Sequence, residues 1–301
     1  MIADWDKNCV FLTAMLATRH PDLFTNLRET LDAHDIEVRL LDNVRDIWAR
    51  DYAPLQVDLD RLVKFRYDPD YLRDQPDLRT GEELVQSFED LGSCSRSPIV
   101  LDGGNVIGSR TKAIVTEKIY RENPDWPRPK LRDKLQQLLQ VDQIIVIPKE
   151  PYEPFGHADA MVRFIDEDRV LVNDYAPIDL GFGERLNTVL RRHELSIETV
   201  PYAPEERVNG GIPSAVGCYI NFLHTQHVVI VPVFGIDQDG IALGKLKASL
   251  SGVPVIPLDC THLARGGGVL NCVGATYHTG MRSKAEGDGC SDENKVRQHQ
   301  S

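Results

Sequence analysis

The run from Arg265 to Gly274, Arg-Gly-Gly-Gly-Val-Leu-Asn-Cys-Val-Gly, sets one thiol behind three consecutive glycines. Glycines such as Gly266, Gly267 and Gly268 let backbone approach a ligand closely and reach positive φ without a Cβ clash. A thiol beside such a run is a candidate nucleophile, because a thiolate needs a shaped, partly open pocket with positive charge nearby. Cys272 is that thiol. The competing reading is a glycine-rich turn followed by an ordinary buried cysteine.

Other polar groups sit in similar short loops: Asp51 after Trp48 and Arg50, Asp102 before Gly103-Gly104-Asn105, and His157 with Asp159 in Gly-His-Ala-Asp. A cysteine, a histidine and several carboxylates suit nucleophilic attack on a planar cationic carbon, for which guanidinium is the natural candidate. A carboxylate accepts two hydrogen bonds from a guanidinium edge, so two of them would orient its carbon toward Cys272. His157 could protonate the leaving nitrogen and then take a proton from water. Each residue also has a plainer reading. Asp51 and Asp102 suit turns, and Trp48 suits packing. His157 and Asp159 have a metal-ligand spacing, but third and fourth ligands are hard to name. Cys260, in Pro-Leu-Asp-Cys, is the rival nucleophile without a glycine loop.

The surrounding elements read as a repeat. Cys9 to Leu16 reads as a strand, Pro21 to Ala33 as a helix and Ile36 to Leu41 as a second strand. A strand pair, a helix, a strand and a polar loop then follow in order. Predicted strand pairs are Leu55–Leu59 with Leu62–Tyr67, Val106–Gly108 with Ala113–Thr116, Met161–Ile165 with Val170–Asn173, and Tyr219–Leu223 with His227–Pro232. Predicted helices are Gly81–Leu91, Pro129–Leu139, Gly183–His193 and Ile241–Leu250. The strands that follow them are Ser97–Leu101, Gln143–Pro148, Ser196–Pro201 and Val253–Leu258. The helix-then-strand step recurs about five times, roughly every 50–60 residues, which marks a repeat architecture. Units packed around one axis would bring equivalent loops together. Those loops hold Asp51, Asp102, His157 with Asp159, and Cys272; the fourth contributes Asn209 with Gly210 and Gly211.

The totals narrow the partners. The chain has 301 residues, 42% of them hydrophobic, enough for a large core. A net charge of -12 opposes nucleic acid as the main partner and favours a small cationic ligand. The six cysteines form no Cys-x-x-Cys pair, so a zinc ribbon or redox motif is not expected. Nothing resembles a secretory signal or a bilayer-spanning run, so a cytoplasmic protein with free thiols and no membrane partner is expected. Residues 1–282 read as one domain, and 283–301 as a disordered polar tail.

Four motifs in this order, Trp48-Ala-Arg-Asp51, Leu101-Asp-Gly-Gly-Asn105, Gly156-His-Ala-Asp159 with Arg163-Phe164, and Gly266-Gly-Gly through Cys272, resemble those of agmatine deiminases. They are similar also to bacterial peptidylarginine deiminases, within the guanidino-modifying superfamily. The resemblance runs from about Val44 to Gly274. It implies an α/β five-bladed propeller, the pentein fold, built from ββαβ-type units. It implies a covalent amidino intermediate on Cys272, His157 as general acid/base and Asp102 as its carboxylate partner. Asp51 and Asp159 would grip the guanidinium, with Trp48, Arg50, Gly267 and Gly268 also beside the substrate. No metal or organic cofactor is expected, and a homo-oligomer is compatible. Two positions depart from the pattern: Asp102 replaces a usual glutamate, and Asn271 a usual histidine.

The expected activity is therefore hydrolysis of a guanidino compound, agmatine first, giving N-carbamoylputrescine and ammonia. Peptidylarginine is the alternative substrate. An amidinotransferase would share the cysteine chemistry, and a non-catalytic pentein binding protein would share only the fold.

Overall fold

A computed structural model of the chain describes residues 1–280 except 207 and 210. The tail expected to be disordered and Gly210 of the fourth loop lie outside the described residues.

Among the described residues, five three-stranded sheets carry the fold, and no strand of one pairs with a strand of another. Each has a central strand paired antiparallel on one side and parallel on the other. Parallel neighbours need a crossover of a dozen or more residues, which explains a helix in every unit. In the third unit, Lys112–Thr116 pairs antiparallel with Ile107–Gly108 and parallel with Gln143–Ile147. The helix Arg128–Leu139 makes that crossover and buries Leu131, Leu135 and Leu139, one face at a spacing of four. The fourth unit repeats this with Val162–Phe164, Arg169–Asn173 and Ser196–Val200 around the helix Leu180–Arg192. Central strands are covered on both faces and so read as continuous apolar runs; every residue of Cys9–Thr13 is buried.

The first sheet is completed from far along the chain. Ala275–Tyr277, a strand the sequence reading did not include, pairs antiparallel with Cys9–Thr13, which runs parallel to Glu37–Leu41.

Several predicted elements change at their ends. The first strand stops at Thr13, not Leu16. The Thr13 hydroxyl accepts a hydrogen bond from the Leu16 N–H at 3.0 Å and caps the helix Ala14–Arg19. The segment Glu82–Leu91 winds as a 3-10 helix. Lys118–Glu122 forms a short helix where none was predicted. The predicted strand Tyr219–Leu223 is mostly turn, and only Leu223–His224 pairs. Its side chains explain this: the Tyr219 hydroxyl bonds Asp239 at 2.7 Å, and Asn221 reaches into the neighbouring unit. Asn209 lies in an exposed hairpin of Val208–Asn209 with Ile212–Pro213. No helix among the described residues is long and apolar enough to cross a membrane.

The loop after the parallel strand of each unit carries a polar group of interest. These loops follow Glu37–Leu41, Ser93–Val100, Gln143–Ile147, Ser196–Val200 and Val255–Asp259.

Candidate active site

The loop after Glu37–Leu41 closes into a short helix, Ala49–Tyr52, which carries Asp51. The next parallel strand leads to Asp102 and a 3-10 turn over Gly103–Asn105. His157 precedes a similar turn, Ala158–Ala160, which carries Asp159. Cys272 sits on the short helix Leu270–Val273. Four loops distant in sequence thus deliver one group or more each.

Three of these loops meet at Gly104, itself in the second. A Cβ on Gly104 would lie 2.6 Å from Asp51 Oδ1, 2.7 Å from His157 Nδ1 and 3.3 Å from Asp159 Oδ2. Only a glycine leaves that point open. Asp51 Oδ1 accepts a hydrogen bond from the Gly104 N–H at 3.2 Å and lies 3.5 Å from His157 Nδ1. On the other side of the imidazole, His157 Nε2 is 2.9 Å from Asp102 Oδ2, close enough to donate to it. The shorter aspartate side chain therefore reaches the ring. Asp102 itself is fully buried and holds Lys118 Nζ at 2.5 Å.

Two asparagines tie Asp159 to the thiol. Asn271 Nδ2 donates to Asp159 Oδ2 at 2.6 Å. Asn221 Nδ2 donates to the Asp159 carbonyl at 3.3 Å, while its Oδ1 lies 3.3 Å from Cys272 Sγ. Asp159 Oδ1 is buried with no hydrogen-bond partner, and so remains free to accept a donor.

The charges are strongly coupled. Burial alone would lower the His157 pKa, but Asp51 and the bond to Asp102 override it and raise it to about 9. Burial raises the Asp51 carboxyl, and the nearby Asp102 and Asp159 add to this against the pull of His157. Burial also pushes the Cys272 thiol well up, and Asp159 and Asp51 push it further. A cation placed between those carboxylates would reverse both effects on the thiol.

His157, Asp159, Gly267 and Cys272 line a cavity of about 900 Å3. Gly267 adopts φ +97°, and a Cβ there would strike Ile212 at 2.4 Å. Trp48 packs over Gly268, where a Cβ would lie 2.7 Å from the indole and 3.1 Å from Cys272 Sγ. Arg50 is the other residue expected beside the substrate. It is buried, and its guanidinium donates to the carbonyls of Gly103 at 3.1 Å and Val106 at 2.7 Å, so it props the Asp102 loop from behind. Arg265, the cation nearest the glycine run in sequence, is not among the cavity-lining residues. The expected contribution of Asn209 falls to Asn221, from the same loop.

Sequence reasoning assigned no role to Asn221, Asn271, Lys118, Tyr71 or Phe155. Asn221 left one trace, a polar residue inside an apolar run. Tyr71 stands edge-on to Phe155 at 4.9 Å and to His157 at 5.9 Å between ring centres. The two aromatic rings cover the imidazole.

The profile of the family described as Porphyromonas-type peptidyl-arginine deiminase matches residues 10–277. The chain belongs to this peptidyl-arginine deiminase family. Among curated proteins, this family member is 27% identical over 207 residues to one from Shewanella baltica that bears the provisional name agmatine deiminase. That match covers 59% of this chain and 56% of the relative, so the chain spans just over half the length of the curated relative it matches. Among solved structures, this family member is similar to an agmatine deiminase of Enterococcus faecalis, at a TM-score of 0.76 and 17% identity over 93% of this chain and 95% of that one. A C. jejuni agmatine deiminase with substrate bound also gives a TM-score of 0.76, at 16% identity over 93% and 96%. At such identity the likeness shows a shared α/β fold.

Proposed function

We propose that this peptidyl-arginine deiminase family member hydrolyses a guanidino compound, with agmatine the first substrate to test. The observation that carries the reading is the meeting of Asp51, His157 and Asp159 at Gly104, with Cys272 tied to the same Asp159 through Asn221. The sheets are read as the five blades of a propeller, with residues 1–282 as one catalytic domain in the cytosol.

In this reading Asp51 and Asp159 take the guanidinium N–H groups, and the unpartnered Asp159 Oδ1 is available for one of them. Burial holds the thiol up and the two carboxylates add to it; the bound cation neutralises those carboxylates and its own charge favours the thiolate, so Cys272 loses its proton to water. The thiolate adds to the central carbon and forms a C–S bond. His157, with its raised pKa, enters as imidazolium and donates a proton to the leaving nitrogen. The C–N bond breaks and ammonia departs. Neutral His157 then takes a proton from water, hydroxide adds to the same carbon, and the C–S bond breaks to release a ureido product. The water is the only co-reactant.

Gly104→Ala tests the meeting point directly. Its methyl would displace Asp51, His157 and Asp159 together. We expect kcat/KM to fall by about 10²-fold or more, the scale for a displacement of about 1 Å, with the chain still folded. A folded variant of unchanged activity would move the reaction elsewhere.

A second reading has one observation behind it. Tyr152, Ile178, Val208 and Ile241 all line the cavity and are 40% exposed or more, an apolar rim larger than agmatine needs. Such a rim suits arginine carried on a peptide. The test is kcat/KM for agmatine, free arginine and an internal-arginine peptide at one salt concentration, read by ammonia and ureido product. A peptide preferred by about tenfold, ~1.4 kcal/mol, would replace agmatine as the assignment. Ammonia release that requires an added amine would indicate amidino transfer. A chelator-treated sample of the same protein is expected to keep its activity, and rescue of a lost activity by zinc would overturn the metal-free scheme.

A further inference from the structure

We propose that Lys118 is a positioning residue for His157, acting through Asp102 to set the geometry and basicity of the imidazole. Three independent contacts carry this. The Lys118 ammonium, with no exposed side-chain surface, lies 2.5 Å from Asp102 Oδ2, the same oxygen that stands 2.9 Å from His157 Nε2. One oxygen thus faces two cationic donors, while Asp102 Oδ1 has no hydrogen-bond partner among the described residues. The same ammonium lies 4.9 Å from the centre of the Tyr71 ring, which stands against His157. Arg121, from the same short helix, holds Asp70 at 2.5 Å, so the helix Lys118–Glu122 fixes both the carboxylate and the aromatic cover of His157.

Burying a lysine beside the site is costly unless the charge is paired and does something there. Here it has Asp102, Glu122 at 3.1 Å and Asp70 at 3.9 Å. The carboxylates facing His157 are Asp51 from the first loop, Asp102 from the second, and Glu153 and Asp159 from its own segment. All of them favour imidazolium. Lys118 is the opposing charge. It draws on the oxygen that accepts from Nε2 and so lowers the proton affinity of the ring, which lets the opposite nitrogen, Nδ1, release its proton to complete a catalytic cycle. It also keeps Asp102 ionised against its own burial.

The part of this proposal concerning turnover rests on the deiminase reading; the part concerning the imidazole does not. The test therefore reads both. In the full chain, the His157 ring is titrated by NMR, and kcat and KM are measured with agmatine across pH. In Lys118→Met the His157 midpoint is expected to rise by about one pH unit, the scale for removing a charge at this range, with kcat down about tenfold and KM nearly unchanged. Lys118→Arg, which keeps the charge, should titrate near the wild-type midpoint. A merely structural lysine would lower stability without moving the midpoint. A folded Lys118→Met with an unmoved or lowered midpoint overturns the proposal. A raised midpoint in a protein that turns over no guanidine leaves it standing and removes only the deiminase reading. If Lys118→Met does not fold, the double variant with Asp102→Asn removes both buried charges and orphans neither. Its kcat is expected within about twofold of Asp102→Asn alone, because Lys118 acts through Asp102. A further tenfold loss in the double variant would place its action elsewhere and overturn the proposal.

Discussion

Cys272→Ala is expected to lower turnover by at least ~10⁴-fold and to abolish covalent labelling by a haloacetamidine, while Cys260→Ala leaves both intact. The two thiols are twelve positions apart but differ in setting. Cys272 is only partly buried, lines the cavity and stands 3.3 Å from Asn221 Oδ1. Cys260 is fully buried, and burial pushes its thiol up with no bound cation to bring it back. Burial holds the Cys272 thiol up as well, and Asp159 and Asp51 add a further push that a guanidinium would neutralise. Labelling should therefore depend on the positive charge of the reagent: a neutral haloacetamide should react far more slowly than the amidine at equal concentration. Full activity in Cys272→Ala would sink the mechanism outright. Full activity in Cys272→Ala together with loss in Cys260→Ala would transfer it to the other thiol.

Asp102→Asn is expected to reduce kcat by roughly 10²–10⁴-fold, the range for disturbing a general acid/base. The carboxylate accepts from both His157 and Lys118 through one oxygen. An amide oxygen at that position could still accept from both, but without the negative charge both contacts weaken. Neutral asparagine also removes part of the charge that keeps His157 protonated, so the pH profile should move down as well as fall. Some stability is lost too, because Lys118 is left with Glu122 as its nearest carboxylate. Rates are therefore compared on folded protein. An unchanged kcat would return Asp102 to the role of a turn residue.

The order of elements was legible because it rests on local chemistry. Apolar runs, helical spacing and glycine punctuation mark strands and crossovers wherever they occur, so the repeat showed without letter identity between units. The strand Ala275–Tyr277 was not legible, since three residues carry no period and its partner lies at Cys9–Thr13. In the site, the groups seen in advance were those whose type is unusual in a loop: a cysteine behind glycines, a histidine beside an aspartate. The burial of Lys118 and Arg50 was not legible, for the same reason. Long cations are normally solvated, and nothing local says that these two are sealed inside and spent on Asp102 and on loop carbonyls. Asn271 and Asn221 became meaningful only once Asp159 was beside them.

The strand that completes the first sheet has a consequence for how the protein is made. Only Val273 and Gly274 separate Cys272 from that strand. On a ribosome, the carboxylates and the histidine emerge long before the thiol, and the thiol arrives almost together with the segment that seals the first sheet. A nascent chain therefore lacks the thiol, and with it part of the pocket lining, until that segment emerges. During the same interval Cys9–Thr13, buried along its whole length in the finished fold, waits with one edge unpaired. Such an edge is a template for another chain's strand, so protection of that edge during elongation, and not the stability of the finished sheets, sets how much of the chain escapes aggregation.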